Sequence, residues 1–269
     1  MQIPVYFVRS FTDSAFGGNP AAVCPLEEWL AEDVMQAIAA ENAVAETAFV
    51  VNEGHGFRIR WFTPEIEMDL CGHATLAAAH VLSQRSDQPL EYMEFQSASG
   101  LLTVSVEEAK SGKTGRLYTM DLPARVPEPV GNLPEIIQQA FSVPPIAVLK
   151  SRDYILVYPD EDTVSNLQPD EQLLKQINLD PGGVVATAPG DSVDFVSRYF
   201  TPGASIFEDP VTGSAHCSLV PYWAARLDKS DLHARQISPR MGELKCVLKG
   251  GRVLLSGEVA GYLEGNITV

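Results

Sequence analysis

The amino-acid sequence predicts an α+β protein of two pseudo-symmetric halves, each an antiparallel β-sheet or barrel wrapped around a central helix. Three observations carry that reading. Strand-like runs outnumber helical ones, two helices are apolar almost all round, and one strand–loop–glycine–helix segment occurs twice. The chain has 269 residues, 45% of them hydrophobic and 20% charged, which is ample for a core and excludes wholesale disorder.

In order along the chain, strand-like runs fall at 3–8, 21–24, 47–51, 57–62, 92–95 and 101–106. More follow at 117–122, 147–149, 154–158, 184–187 and 194–200, and the tail adds 243–248, 252–256 and 259–263. They are β-branched and aromatic with frequent alternation, which suits antiparallel sheets. Lys249-Gly250-Gly251 reads as a hairpin turn between two of them. A helix is expected over 27–40, where Trp29, Leu30, Val34, Met35 and Ile38 recur at helical spacing. Short surface helices are expected at 135–141 and 171–177. The runs 74–82 and 215–227 are apolar on every side, so each is expected to be buried on every side as a central rod. Pro221 is expected to kink or strain the second.

The repeat links these parts. Arg60-Trp61-Phe62-Thr63-Pro64 is followed after seven residues by Gly72-His73-Ala74. Arg198-Tyr199-Phe200-Thr201-Pro202 is followed after ten by Gly213-Ser214-Ala215. Only a three-residue loop insertion separates the copies. The Pro- and Gly-rich stretch 123–134 is the natural boundary, giving halves 1–122 and 123–269, with the last strand able to cross back. Each copy brings a glycine to the start of a buried helix, where free N–H groups and the positive dipole end attract anions. Two such starts facing a cleft between the halves would trap a small carboxylate.

Composition narrows the function. The formal net charge is −16, which disfavours nucleic acid as a partner. No apolar run is long enough to span a membrane, and residues 1–9 read as a strand, not a signal peptide. Cys24, Cys71, Cys217 and Cys246 show neither a disulfide framework nor zinc spacing, so a cytoplasmic protein with reduced thiols and no metal is expected. Dinucleotide, P-loop, zincin and nucleophile-elbow motifs are absent.

Several polar residues stand out. Glu46 shares a strand face with Ala48 and Val50, a partly desolvated setting suited to general acid/base work, though a strand-edge glutamate bonded to a loop fits the same pattern. His73 lies in the first turn of a buried helix and reads either as bonded to a loop carbonyl or as a proton shuttle. Asp209 and Ser214 suit capping, and Asn19 suits a turn. His80 and Cys217 read as core. Cys71 precedes a helix start, where a thiol's pKa is expected to fall.

Four motifs together resemble the PhzF-like (phenazine biosynthesis-like) isomerases, which share the diaminopimelate epimerase fold. They are Gly18-Asn19-Pro20-Ala21-Ala22-Val23, Ala45-Glu46-Thr47-Ala48-Phe49-Val50, Phe62-Thr63-Pro64 with Gly72-His73-Ala74, and Glu208-Asp209-Pro210-Val211-Thr212-Gly213-Ser214-Ala215. The resemblance covers essentially the whole chain. It implies a cofactor-independent isomerase, a homodimer, and acid/base proton transfer at carbon on a small substrate. The best-known member isomerises dihydro-3-hydroxyanthranilate. It also implies Glu46 as catalytic base, His73 and Asp209 as further catalytic groups, and Asn19, Gly72, Gly213 and Ser214 as substrate contacts. Diaminopimelate epimerase uses a cysteine at the place of Cys71, but the second half has Thr212 where its partner thiol would stand. A racemase using Cys71 with a carboxylate is therefore the alternative, Cys71 being otherwise bystander or helper. A non-catalytic small-molecule binder ranks third, because the ionisable set is present.

Overall fold

The computed structural model describes residues 1–54, 56–109, 115–179, 182–202 and 206–269. The chain divides into two compact units, one formed by 1–121 with 256–269 and the other by 122–255.

The first unit begins with β1 (Gln2–Ser10), β2 (Asn19–Leu26), α1 (Glu32–Asn42) and β3 (Glu46–Asn52). It continues with β4 (Phe57–Phe62), β5 (Glu67–Met68), α2 (Gly72–Arg85), β6 (Tyr92–Ser97), β7 (Gly100–Glu108) and β8 (Arg116–Pro123). β1 pairs antiparallel with β2, and α1 then crosses over so that β3 lies parallel to β2. α1 lays Met35, Ile38 and Ala39 on one sheet face, against Cys24, Phe49 and Phe62. α2 packs against β1, β2 and β3. From His73 to Ala79 every α2 side chain is buried, and the short alanines let strands approach it closely. Sheet on all sides, rather than an amphipathic stripe, sets its composition.

The second unit carries β9 (Glu128–Pro129), α3 (Glu135–Ala140), β10 (Ala147–Lys150), β11 (Tyr154–Val157), α4 (Glu161–Asn166) and α5 (Glu171–Leu174). Then come β12 (Val184–Pro189), β13 (Phe195–Phe200), β14 (Glu208–Asp209), α6 (Gly213–Leu227), β15 (Asp231–Gln236), β16 (Gly242–Lys249) and β17 (Arg252–Gly257). Consecutive strand residues point to opposite faces. Phe195 stacks on Trp223 of α6, while Val196 joins the core formed with Ile137, Val164 and Leu174 of the three short helices. The last strand, β18 (Val259–Thr268), belongs to the first unit and pairs along β1 from Gln2 opposite Thr268.

The mixed α+β class agrees with the sequence, with differences of detail. Among the described residues, the ladders β2–β3, β4–β6, β11–β12 and β13–β15 are parallel rather than antiparallel. In each pair the connecting chain is long enough to cross over and run the same way. α1 starts at Glu32, not at residue 27, because Trp29 and Leu30 reach the same apolar cluster from a non-helical approach. α4, capped by Asp160 accepting from Thr163 N–H at 2.8 Å, and β15 were not expected. The alternation in β15 rests on Leu232, Ala234 and Gln236, a weak apolar signal. Pro221 does not break α6. It removes the N–H that would bond the Cys217 carbonyl, and Arg125 N–H takes that place at 2.8 Å.

The sequence repeat is also a repeat of contacts within each unit. Arg60 donates to both Glu67 carboxylate oxygens, at 2.6 and 2.5 Å, and Arg198 to both of Glu208, at 2.7 and 2.9 Å. Glu67 and Glu208 stand five residues before Gly72 and Gly213, so the three-residue insertion lies between the Thr-Pro pair and this glutamate.

Candidate functional site

In the first unit, strand order delivers the polar residues to one place. β2 and β3 run parallel with Ala21 opposite Glu46, so Asn19 and Glu46, their first residues, lie at the same end. Gly18 turns the chain into β2 with φ of 61°, and a Cβ there would run into the Ser10 carbonyl oxygen. α2 starts after Cys71, whose side chain makes no capping bond, and no acidic residue sits in its first turn.

His73 is the hub. Its Nε2 lies 3.0 Å from Glu46 Oε2, with only 7% and 16% of the two side chains exposed. Its Nδ1 faces Asn19 Nδ2 at 3.2 Å and Cys71 Sγ at 3.6 Å. Its carbonyl accepts from the Ser10 hydroxyl at 2.7 Å. The approach of Nε2 to Oε2 is an ion-pair distance without the alignment of a hydrogen bond, and neither atom has a hydrogen-bond partner among the described residues. Two buried polar atoms left in this state mark a place where an incoming polar group would complete the geometry.

Charge in this cluster is set by burial and by the neighbours. Burial opposes the imidazolium, but the Cys71 sulfur and the Glu46 carboxylate outweigh it, and His73 is held well above its ordinary value. The Cys71 thiol is pushed up by burial and by Glu46. The expected lowering of this thiol is thus overturned: dehydration outweighs the dipole of the helix start. A carboxylate, a thiol and an imidazole within 4.8 Å of one another also have the donor types of a metal site. The carboxylate oxygen lies 3.0 Å from Nε2 and the sulfur 3.6 Å from Nδ1.

In the second unit, Gly213 and Ser214 are the first two residues of α6, and Thr212 is its N-cap without a side-chain capping bond. Thr212 donates its hydroxyl to Asp209 Oδ2 instead. The wholly buried Gln236 holds this loop from β15: its carbonyl accepts Thr212 N–H at 2.9 Å, and its amide donates to the Asp209 carbonyl at 2.7 Å. Ser238 donates to the Pro210 carbonyl at 2.8 Å. Gln236 and Ser10 were not singled out in the sequence, where no motif marks them. Burial holds His216 down at about 4 and pushes the Cys217 thiol up to about 11, as suits residues packed inside α6. His80 bonds the Tyr118 hydroxyl at 3.1 Å in α2 and takes no part in the His73 cluster.

Each unit thus packs strands on a buried helix, and a carboxylate–imidazole pair stands at the start of α2. The family model for phenazine biosynthesis-like proteins matches residues 8–265. A protein of Pseudomonas aeruginosa named as an uncharacterized isomerase is 48% identical, over 99% of each chain. The crystal structure of a PhzF-family phenazine biosynthesis protein from Enterococcus faecalis matches with a TM-score of 0.93 and 46% identity, covering 100% of both chains. A hydroxyproline epimerase from Agrobacterium vitis, at 8% identity and a TM-score of 0.62 over 99% of this chain and 92% of that one, shares the fold alone. The chain belongs to the phenazine biosynthesis-like (PhzF) family of isomerases.

Proposed function

We propose that this isomerase moves a proton at carbon on a small carboxylate, with Glu46 as the base and without a cofactor. The observation that carries this is the Glu46–His73 pair, 3.0 Å apart and largely shielded from solvent, whose facing atoms Oε2 and Nε2 have no hydrogen-bond partner among the described residues. Glu46 takes the proton from carbon, and the positive end of α2 and the His73 ring stabilise the negative charge that develops. Uncapped helix starts without first-turn acids at Gly72-His73 and Gly213-Ser214 suit a carboxylate ligand. The halves 1–122 and 123–269 each present one such helix start. Asp209 is the second proton partner, and Asn19, Gly72, Gly213 and Ser214 help to place the substrate. The protein is taken to be a cytoplasmic homodimer, and its charge of −16 argues against nucleic-acid partners.

The test is deuterium incorporation by NMR in D2O over a panel of small amino carboxylates, including dihydro-3-hydroxyanthranilate. Carbon-bound deuterium should appear with the native protein and fall at least about a hundredfold with Glu46→Gln. Undiminished exchange in that variant would remove Glu46 from the mechanism.

A further inference from the structure

The ring of His73 has two nitrogens, and its neighbours treat them differently. On the Nε2 side stands the Glu46 carboxylate, which can only accept while ionised. On the Nδ1 side stands the amide nitrogen of Asn19, which can only donate. Asn19 has no exposed surface, and its backbone is fixed by pairing opposite Ser10 and by the turn at Gly18. A buried donor aimed at Nδ1 requires a lone pair there in the neutral ring. The single ring proton is then on Nε2, toward Glu46. When the ring is charged, the proton added to Nδ1 finds the Cys71 sulfur, 3.6 Å away, as its acceptor. In both states Nε2 keeps its proton.

We propose that Asn19 is a positioning residue that fixes the tautomer of His73 with Nε2–H facing Glu46. The consequence, which rests on the reading of Glu46 as base, concerns the route of the proton. A nitrogen that always carries a proton cannot receive one from Glu46. His73 is therefore a fixed N–H group beside the carboxylate that polarises the substrate, and the proton taken from carbon is returned by Glu46 or leaves by another group. Asn19 acts on the substrate through the histidine. The titratable groups that face the ring are Glu46 from β3 and Cys71 from the start of α2. β2 presents Asn19 and β1 presents Ser10, neither of which titrates in the relevant range.

The experiment is long-range proton–nitrogen NMR of protein labelled with nitrogen-15 histidine, titrated through the His73 midpoint, with His73→Gln assigning the signals. The expected neutral form has protonated Nε2 and bare Nδ1. A neutral form protonated on Nδ1 would overturn the proposal. Asn19→Asp replaces the donor with an acceptor and should move the proton to Nδ1 and raise the midpoint. An unchanged tautomer and midpoint would also overturn it. If the aspartate variant does not fold, Asn19→Ala removes the donor to Nδ1 and should raise the His73 midpoint, and an unchanged or lowered midpoint there would count against the proposal. Where exchange activity is found, Asn19→Asp should lower kcat at least about tenfold and shift the pH profile to higher pH. The tautomer is read without substrate. Native tautomer with no deuterium exchange over the panel would count against Glu46 as base on those substrates and leave the role of Asn19 standing.

Discussion

At the scale of residues, Cys71 separates the two chemistries that the motifs leave open. A thiol base must lose its proton near neutral pH, and the burial of Cys71 beside the Glu46 carboxylate works against that. Cys71→Ser keeps a small polar group beside Nδ1 and is expected to retain activity within about tenfold, as measured by carbon–deuterium exchange. A loss as deep as that of Glu46→Gln would assign the base to sulfur. Cys217 offers no second thiol, because burial pushes it up to about 11 and it lies a turn inside α6.

At the scale of elements, the two central helices each carry a histidine whose charged form burial disfavours, half-buried His80 in α2 and buried His216 in α6. His80 of α2 and His216 of α6 are both held down at about 4 by burial, against 6.5 for an ordinary histidine. Below 6.5 the unfolded chain takes up protons that the folded helices refuse. The stability present above 6.5 is therefore lost as pH falls toward 4. For the wholly buried His216 this amounts to roughly 3 kcal/mol. Thermal unfolding across that window should show the decline, and His216→Asn should flatten it. An equal decline in the variant would place the acid sensitivity elsewhere. His73 acts in the opposite sense: its raised value contributes stability below 6.5 that is lost as pH rises through the folded value.

At the scale of the whole molecule, the repeat places the same Arg–Glu fork in both units but in different surroundings. Arg198 and Glu208 have 12% and 15% of their side chains exposed, and Arg198 also donates to the Val164, Ser165 and Leu167 carbonyls. Arg60 and Glu67 are more open, at 26% and 32%. Removing one partner of a buried pair leaves a stranded charge, whereas an exposed pair loses little. Arg198→Ala is expected to cost about 3 kcal/mol in urea unfolding and Arg60→Ala about 1 kcal/mol or less. Equal costs would mean that burial does not govern these forks.

The sequence by itself determined the α+β class, the two all-round apolar helices and the motifs that carry the family. Each is written in local periodicity or in a short run, and strand β4 was legible to the residue. Glu46, His73, Asn19 and Cys71 were visible as candidates for the same reason. Their meeting at one imidazole was decided by tertiary structure, because it depends on β2 and β3 running parallel and on where α2 begins. The rise of the Cys71 thiol and the support of Gln236 for the Asp209 loop were likewise hidden. Burial and long-range pairing are properties of the folded surroundings, and no residue carries them in its own neighbourhood along the chain.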